Sequence, residues 1–97
     1  MLRHVVLLDF RPDTSSDAID ILVDALRALP DQIESIVGYQ VGTDLGFAAD
    51  NAQVAVVAEF ADRAGWDSYQ QHPAHQQVIA DLVKPHLAGR SASQFTI

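Results

Sequence analysis

The chain has 97 residues, no cysteine, and 6 Lys+Arg against 13 Asp+Glu, for a formal charge of −7. That length suits one domain, the missing thiols exclude a disulfide scaffold, a thiolate zinc site and a cysteine nucleophile, and the acidic balance argues against nucleic acid and anionic membrane surfaces, which demand clustered Lys and Arg. No apolar stretch nears the ~20 residues of a membrane span, and Asp9 interrupts Val5 to Leu8 too early for a signal peptide, so the expectation is a cytoplasmic single domain over residues 1–97.

Leu2 to Phe10, rich in Val and Leu and closed by Arg11-Pro12-Asp13, predicts a first strand. Thr14 with Asp17 three positions on resembles a capping box and opens a helix, in which Ile19, Leu22, Val23, Leu26 and Leu29 recur at helical spacing until Pro30 ends it. Ile36 to Gly42 alternates as a second strand, Thr43 to Asn51 reads as a loop, and Gln53 to Phe60 is a third strand. Asp62 caps a short helix through Tyr69; His72 and Pro73 open another that passes Val78, Ile79 and Leu82 and ends near Pro85. Ser91 to Ile97 is a final strand. The order β-α-β-β-α-β is the split βαβ pattern of the ferredoxin-like α+β fold, with a four-stranded antiparallel sheet.

Both internal strands are apolar on both faces. Leu2, Val6, Leu8 and Phe10 oppose Val5 and Leu7; Val54, Val56, Ala58 and Phe60 oppose Ala55 and Val57. Helices cover one face of such a sheet, and soluble monomers rarely leave the other bare. A second copy of the same face is the economical cover, so the pattern predicts a homodimer; a monomer wetted by Arg3, Asp9 and Glu59 is the plainer alternative.

Chemistry rests on few residues. His4 shares its strand face with Val6 and Leu8 and needs a partner for its ring nitrogens; alone, it reads as a satisfied core histidine. In Tyr69-Gln70-Gln71-His72-Pro73-Ala74-His75, His72 precedes proline and suits a cap. His75 falls in the first helical turn, in register with Val78 and Ile79, where the helix dipole disfavours its charged form. A neutral imidazole beside the Tyr69 phenol suits proton abstraction next to a carbonyl, with the phenol orienting the base or donating to an enolate oxygen. Trp66 and Phe60 read as core rather than as a stacking platform, and Asp17, Asp20 and Asp24 as a solvated helix face. His72, His75 and His4 lack the spacing of a recognised zinc set, so no metal site is assigned there, although Asp44 and Asp50 leave a weak magnesium or calcium site open.

The segments LRHVVLLDFRPDTSSDAIDILVDALRALP, VGYQVGTDL and VAVVAEFADRAGWDSYQQHPAHQQV, with the terminal strand, resemble the stress-responsive A/B barrel (Dabb) family across essentially the whole chain. The His4 strand and the Tyr69 to His75 segment carry the most specific likeness. The resemblance implies a single Dabb domain whose sheets pair into a dimeric α/β barrel. It also implies, by analogy with the plant polyketide cyclases of the family, cofactor-free aldol chemistry with His75 and Tyr69 as the catalytic pair and His4 as a pocket contact. The implied ligand is a small hydrophobic carbonyl compound lined by Val6, Leu8, Leu22, Leu26, Tyr39, Val56 and Val78. His86 would lie at the inner end of the pocket, where such cyclases can carry a bulky aromatic. A non-catalytic structural or binding protein and a cofactor-independent monooxygenase remain the alternatives.

Overall fold

The computed structural model describes residues 1–97. Strand β1, Leu2–Phe10, pairs along its length with two antiparallel neighbours: β3, Val54–Phe60, on one side and β4, Leu87–Thr96, on the other. Strand β2, Gly38–Thr43, adds outside β3, giving the sheet order β2-β3-β1-β4 of a ferredoxin-like α+β fold. His4, Val6, Leu8 and Phe10 of β1 and Val54, Val56, Ala58 and Phe60 of β3 are buried on one face. On the other face Leu7 stays exposed, and Val5, Ala55 and Val57 are half-buried.

Three helices cover the first face. Helix α1, Ser16–Arg27, buries Leu22, Val23 and Leu26 at the spacing the sequence predicts. Its cap is Ser15, one residue later than expected, with Oγ accepting from Ala18 N at 3.1 Å. Thr14 is taken instead by the turn after Pro12, its N–H donating to the Arg11 carbonyl at 2.9 Å. The helix stops at Arg27 rather than at Pro30, which sits inside a 3₁₀ turn, Leu29–Asp31, that seats Leu29 and Ile33 in the core. Arg27 Nε and Nη2 both donate to the Val41 carbonyl, at 3.0 and 2.7 Å, and tie the end of α1 to β2.

Helix α2, Arg63–Gln71, is capped by Asp62, and helix α3, Pro73–Val78, by His72. The final helix does not continue regularly to Pro85. Residues Ile79–Val83 form a π turn, closed by Lys84 N–H to the Ile79 carbonyl, and a 3₁₀ turn, Lys84–His86, leads into β4. That strand starts at Leu87, four residues before the sequence predicts, because pairing with an apolar central strand overrides the weak strand preference of Ala88 and Gly89. Strand β2 starts at Gly38 rather than Ile36, whose N–H turns back to the Ile33 carbonyl at 3.3 Å. No helix is long and apolar enough to cross a membrane.

Because Arg27 makes two charge-assisted hydrogen bonds to one carbonyl, Arg27→Met is expected to lower unfolding free energy by about 1 kcal/mol. Urea denaturation of the two proteins checks it; an unshifted midpoint would show that this tie between helix and edge strand carries no stability.

Candidate active site

His72 is the local cause of the site. Proline at 73 removes an N–H and holds His72 extended, at φ −65° and ψ 132°, so helix α2 ends and α3 restarts at an angle. His72 Nδ1 accepts from Ala74 N at 3.1 Å and closes the corner. The last turn of α2 and the first turn of α3 thereby face each other, and the rings of Tyr69 and His75 lie 4.2 Å apart between centroids.

His4 enters from the sheet, with Ala58 of β3 and Gln94 of β4 as its cross-strand neighbours. It is only 2% exposed. Trp66 Nε1–H donates to His4 Nδ1 at 3.3 Å, and Gln94 Nε2 lies 2.8 Å from the same nitrogen. An indole N–H can only donate, so Nδ1 carries the lone pair and the ring proton sits on Nε2. Burial, then the Arg90 guanidinium and His75, lower the His4 pKa to about 4, so the ring is neutral at neutral pH.

Tyr69 is buried, its ring 6.1 Å from that of His4 and 5.2 Å from that of Phe60. Its hydroxyl shares a 2.8 Å hydrogen bond with the Tyr39 hydroxyl. Burial raises both phenol pKa values; for Tyr69 the Tyr39 hydrogen bond and Arg90 pull the other way. His75 is the less satisfied member. Its Nδ1 is buried and has no hydrogen-bond partner. Burial is the main reason its pKa falls; the Gln70 carbonyl favours the charged ring, while Arg90 and His72 add to the fall. The helix dipole invoked from sequence is thus not the leading cause.

These three rings line one cavity of about 260 Å³. Val6, Leu8 and Val56 of the sheet, Leu26 of α1, and Ile79, Val83 and Leu87 supply its apolar wall; Gln70, Lys84 and Arg90 supply its remaining polar lining. Four residues expected on the wall are elsewhere. Leu22 is fully buried in the core, away from the cavity. Tyr39 stands behind Tyr69 and reaches it through the hydroxyl. Val78 lines a separate shallow dent with Leu82 and Gln32, because His75, Ile79 and Val83 take the cavity-facing line at intervals of four. His86 is drawn into the 3₁₀ turn, its carbonyl accepting from Arg11 N at 2.8 Å. Asp44, one of the loop carboxylates considered for a cation, accepts instead from Gly46 N and Asn51 Nδ2. No group of three or more His, Cys, Asp or Glu side chains converges anywhere in the chain.

The profile of the stress responsive A/B barrel domain matches residues 2–97. The chain belongs to this family. A comparison with curated proteins finds no match. Among solved structures, a dimeric ferredoxin-like protein of unknown function from Thermobifida fusca is 36% identical, with a TM-score of 0.91 over 99% of this chain and 90% of that one. A hydroxynitrile lyase from Passiflora edulis is 20% identical, with a TM-score of 0.85 over 99% and 92%. An antibiotic biosynthesis monooxygenase is 19% identical, with a TM-score of 0.75 over 100% and 98%. The last two likenesses establish the shared fold.

Within this A/B barrel domain, sequence reasoning missed the residues that bind the rings to each other. Trp66 is assigned to core by its spacing, yet its indole N–H fixes the His4 tautomer. Gln94 and Arg90 lie opposite His4 and Leu8, and only the register of β4 on β1 could have placed them. Lys84 needed the π turn.

Since His4 is neutral in the folded protein and ordinary when unfolded, the unfolded chain binds more protons between pH 6.5 and about 4. Stability therefore rises with pH across that window and is lost as pH falls through it, by on the order of 3 kcal/mol at most from this ring. Urea unfolding at a series of pH values should show a steeper loss below pH 6.5 in the parent than in His4→Gln; equal slopes would remove His4 as the source.

Proposed function

We propose that the protein is a homodimer that binds a small hydrophobic carbonyl compound in the cavity of each subunit and carries out cofactor-free acid–base chemistry on it, as a cyclase or isomerase. The observation that supports this reading most is the His75 ring on the wall of an apolar cavity, 4.2 Å from the Tyr69 ring and with its pKa lowered by burial. An imidazole kept neutral by burial on a cavity wall is a base ready to accept a proton at neutral pH.

In this mechanism His75 removes a proton from the carbon next to the carbonyl. The C–H electron pair moves to form an enolate, whose oxygen accepts from Tyr69 O–H or from His4 Nε2–H. Tyr39 is a positioning residue: when its hydroxyl donates to Tyr69, the Tyr69 proton is released towards the ligand. The enolate carbon then attacks a second carbonyl of the same molecule, or takes a proton at another position, and the His75 proton is returned. Atoms and charge balance without an oxidant or cofactor.

The same ring set also fits a binding protein with no turnover, because His4 Nδ1 and the Tyr69 hydroxyl already have partners within the protein. Proton exchange separates the two readings. With 4-phenyl-2-butanone in D₂O, the protein should accelerate deuterium uptake next to the carbonyl, and His75→Ala should remove the acceleration while retaining the parent's circular dichroism. The rate should hold steady above neutral pH and fall below pH 6.5 as the lowered His75 pKa is approached. Binding of the ketone without accelerated exchange would favour the non-catalytic reading.

The dimer rests on the bare sheet face. Leu7 and Phe95 are exposed there, and Leu45 and Phe47 of the β2–β3 loop stand beside Leu7 with exposures of 78% and 88%. Arg3 and Glu59 pair at 2.8 Å within that face, so covering these two buries no lone charge. The Thermobifida fusca relative is described as dimeric. Sedimentation equilibrium at low micromolar concentration should report two subunits, and Leu7→Asp should shift the population to one; a parent that sediments as a single subunit would discard the dimer.

A further inference from the structure

The chain is poor in cations, and almost all of them are spoken for. Arg3 pairs with Glu59 at 2.8 Å; Arg11 donates to the Pro85 carbonyl; Arg27 is bound to the Val41 carbonyl; Arg63 contacts Asp67 at 3.4 Å and lies over the Trp66 ring. Only Lys84 and Arg90, of the 6 Lys+Arg in the sequence, have side chains with neither an ion pair nor a hydrogen bond, and both line the cavity.

They reach it from different elements. Lys84 follows the π turn, and Arg90 stands on β4 opposite Leu8, on the helix-facing side of the sheet. Both residues are exposed, which puts them at the open end, with Val6, Val56 and Leu26 deeper. No Asp or Glu lines the cavity, although the chain carries 13 of them. Two free cations beside a carboxylate-free apolar hollow, on a chain of charge −7, form a local positive site against the prevailing field.

We propose that the cavity is built for an amphipathic carboxylic acid, with its apolar body inside and its carboxylate at the mouth between Lys84 and Arg90. Resting on the ligand-site reading above, this inference names the ligand's class. Guanidinium geometry suits a planar carboxylate, which it can hold through two parallel hydrogen bonds. Size is consistent as well: benzene fills an engineered cavity of about 150 Å³, so 260 Å³ admits a body of about ten heavy atoms. Arg90 is near enough to the rings to act electrostatically on His4, Tyr69 and His75, so a bound carboxylate would also be held close to the reacting groups.

A matched ligand pair tests it. 4-Phenylbutyrate and its neutral amide have the same body and differ in charge. They are titrated into the intact protein at low ionic strength, while NMR follows the ring resonances of His4 and His75. The acid should bind roughly tenfold tighter than the amide, with the preference shrinking as salt is raised. The double substitution Lys84→Gln, Arg90→Gln should bring the acid down to the amide's affinity, and Arg90→Lys alone should retain part of the preference. Neither side chain has a partner within the protein, so the variants should fold as the parent does. Equal affinities in the parent, or a preference that survives the double substitution, would overturn the carboxylate site while leaving the cavity as a ligand site. Ring resonances unmoved by either compound would overturn both.

Discussion

Pro73 has no amide proton to give, and the site follows from that lack. A continuous helix from Arg63 onward would need an N–H at 73 and would spread Tyr69 and His75 along one cylinder, about 9 Å apart in rise. Instead the chain breaks, His72 turns extended and caps the second helix with its own ring, and the two rings meet 4.2 Å apart between centroids, tilted by 42°. The corner is closed by local hydrogen bonds alone, so the pair is positioned before any ligand arrives.

Polar atoms inside the cavity are unevenly satisfied, and the unevenness has a direction. His4 is held by two donors at one nitrogen, and Tyr69 leans on Tyr39. Both are anchored from outside the cavity, by groups on α2, β4 and β2. His75 lacks an equivalent anchor at Nδ1. A set of rings packed only for stability would be expected to satisfy all three, since an unmade buried hydrogen bond costs about 1–3 kcal/mol. His75 is thus the neutral imidazole on the cavity wall that no other side chain holds by a hydrogen bond. The π turn contributes to the same end: it carries Ile79, Val83 and Lys84 around the cavity, and such turns concentrate at functional positions.

The ferredoxin-like fold was legible from the order of its elements, β-α-β-β-α-β, and two strands apolar on both faces marked the middle of a sheet covered on both sides. The pairing of Tyr69 with His75 was legible because proline and histidine spacing act locally. Features that depend on register or on an irregular turn were not. Gln94 and Arg90 lie in a segment of small and polar residues with no visible period, and Arg90 falls just outside the strand expected from sequence. Their positions come from β1, many residues away. Leu22 and Val78 carry the right chemistry for a pocket wall, but Leu22 lies one helical turn before the cavity-lining Leu26 and Val78 one step in azimuth from Ile79; hydrophobic spacing distinguishes buried from exposed but not cavity from core.

Strand β1 serves two faces at once. His4, Val6 and Leu8 point to the cavity, while Arg3, Val5 and Leu7 point to the bare side, so neighbouring residues belong to different surfaces only a strand's thickness apart. A register slip of one residue would exchange the sets, placing Arg3 under the helices and His4 outside. The Arg3–Glu59 pair opposes that slip across β1 and β3: it is an ion pair on the outer face, whereas its burial under the helices would put charge among Leu22, Leu26 and Phe60. The charges flanking the site residue therefore help to specify which face His4 occupies, and a strand that is apolar on both sides is given a single orientation by its few polar members.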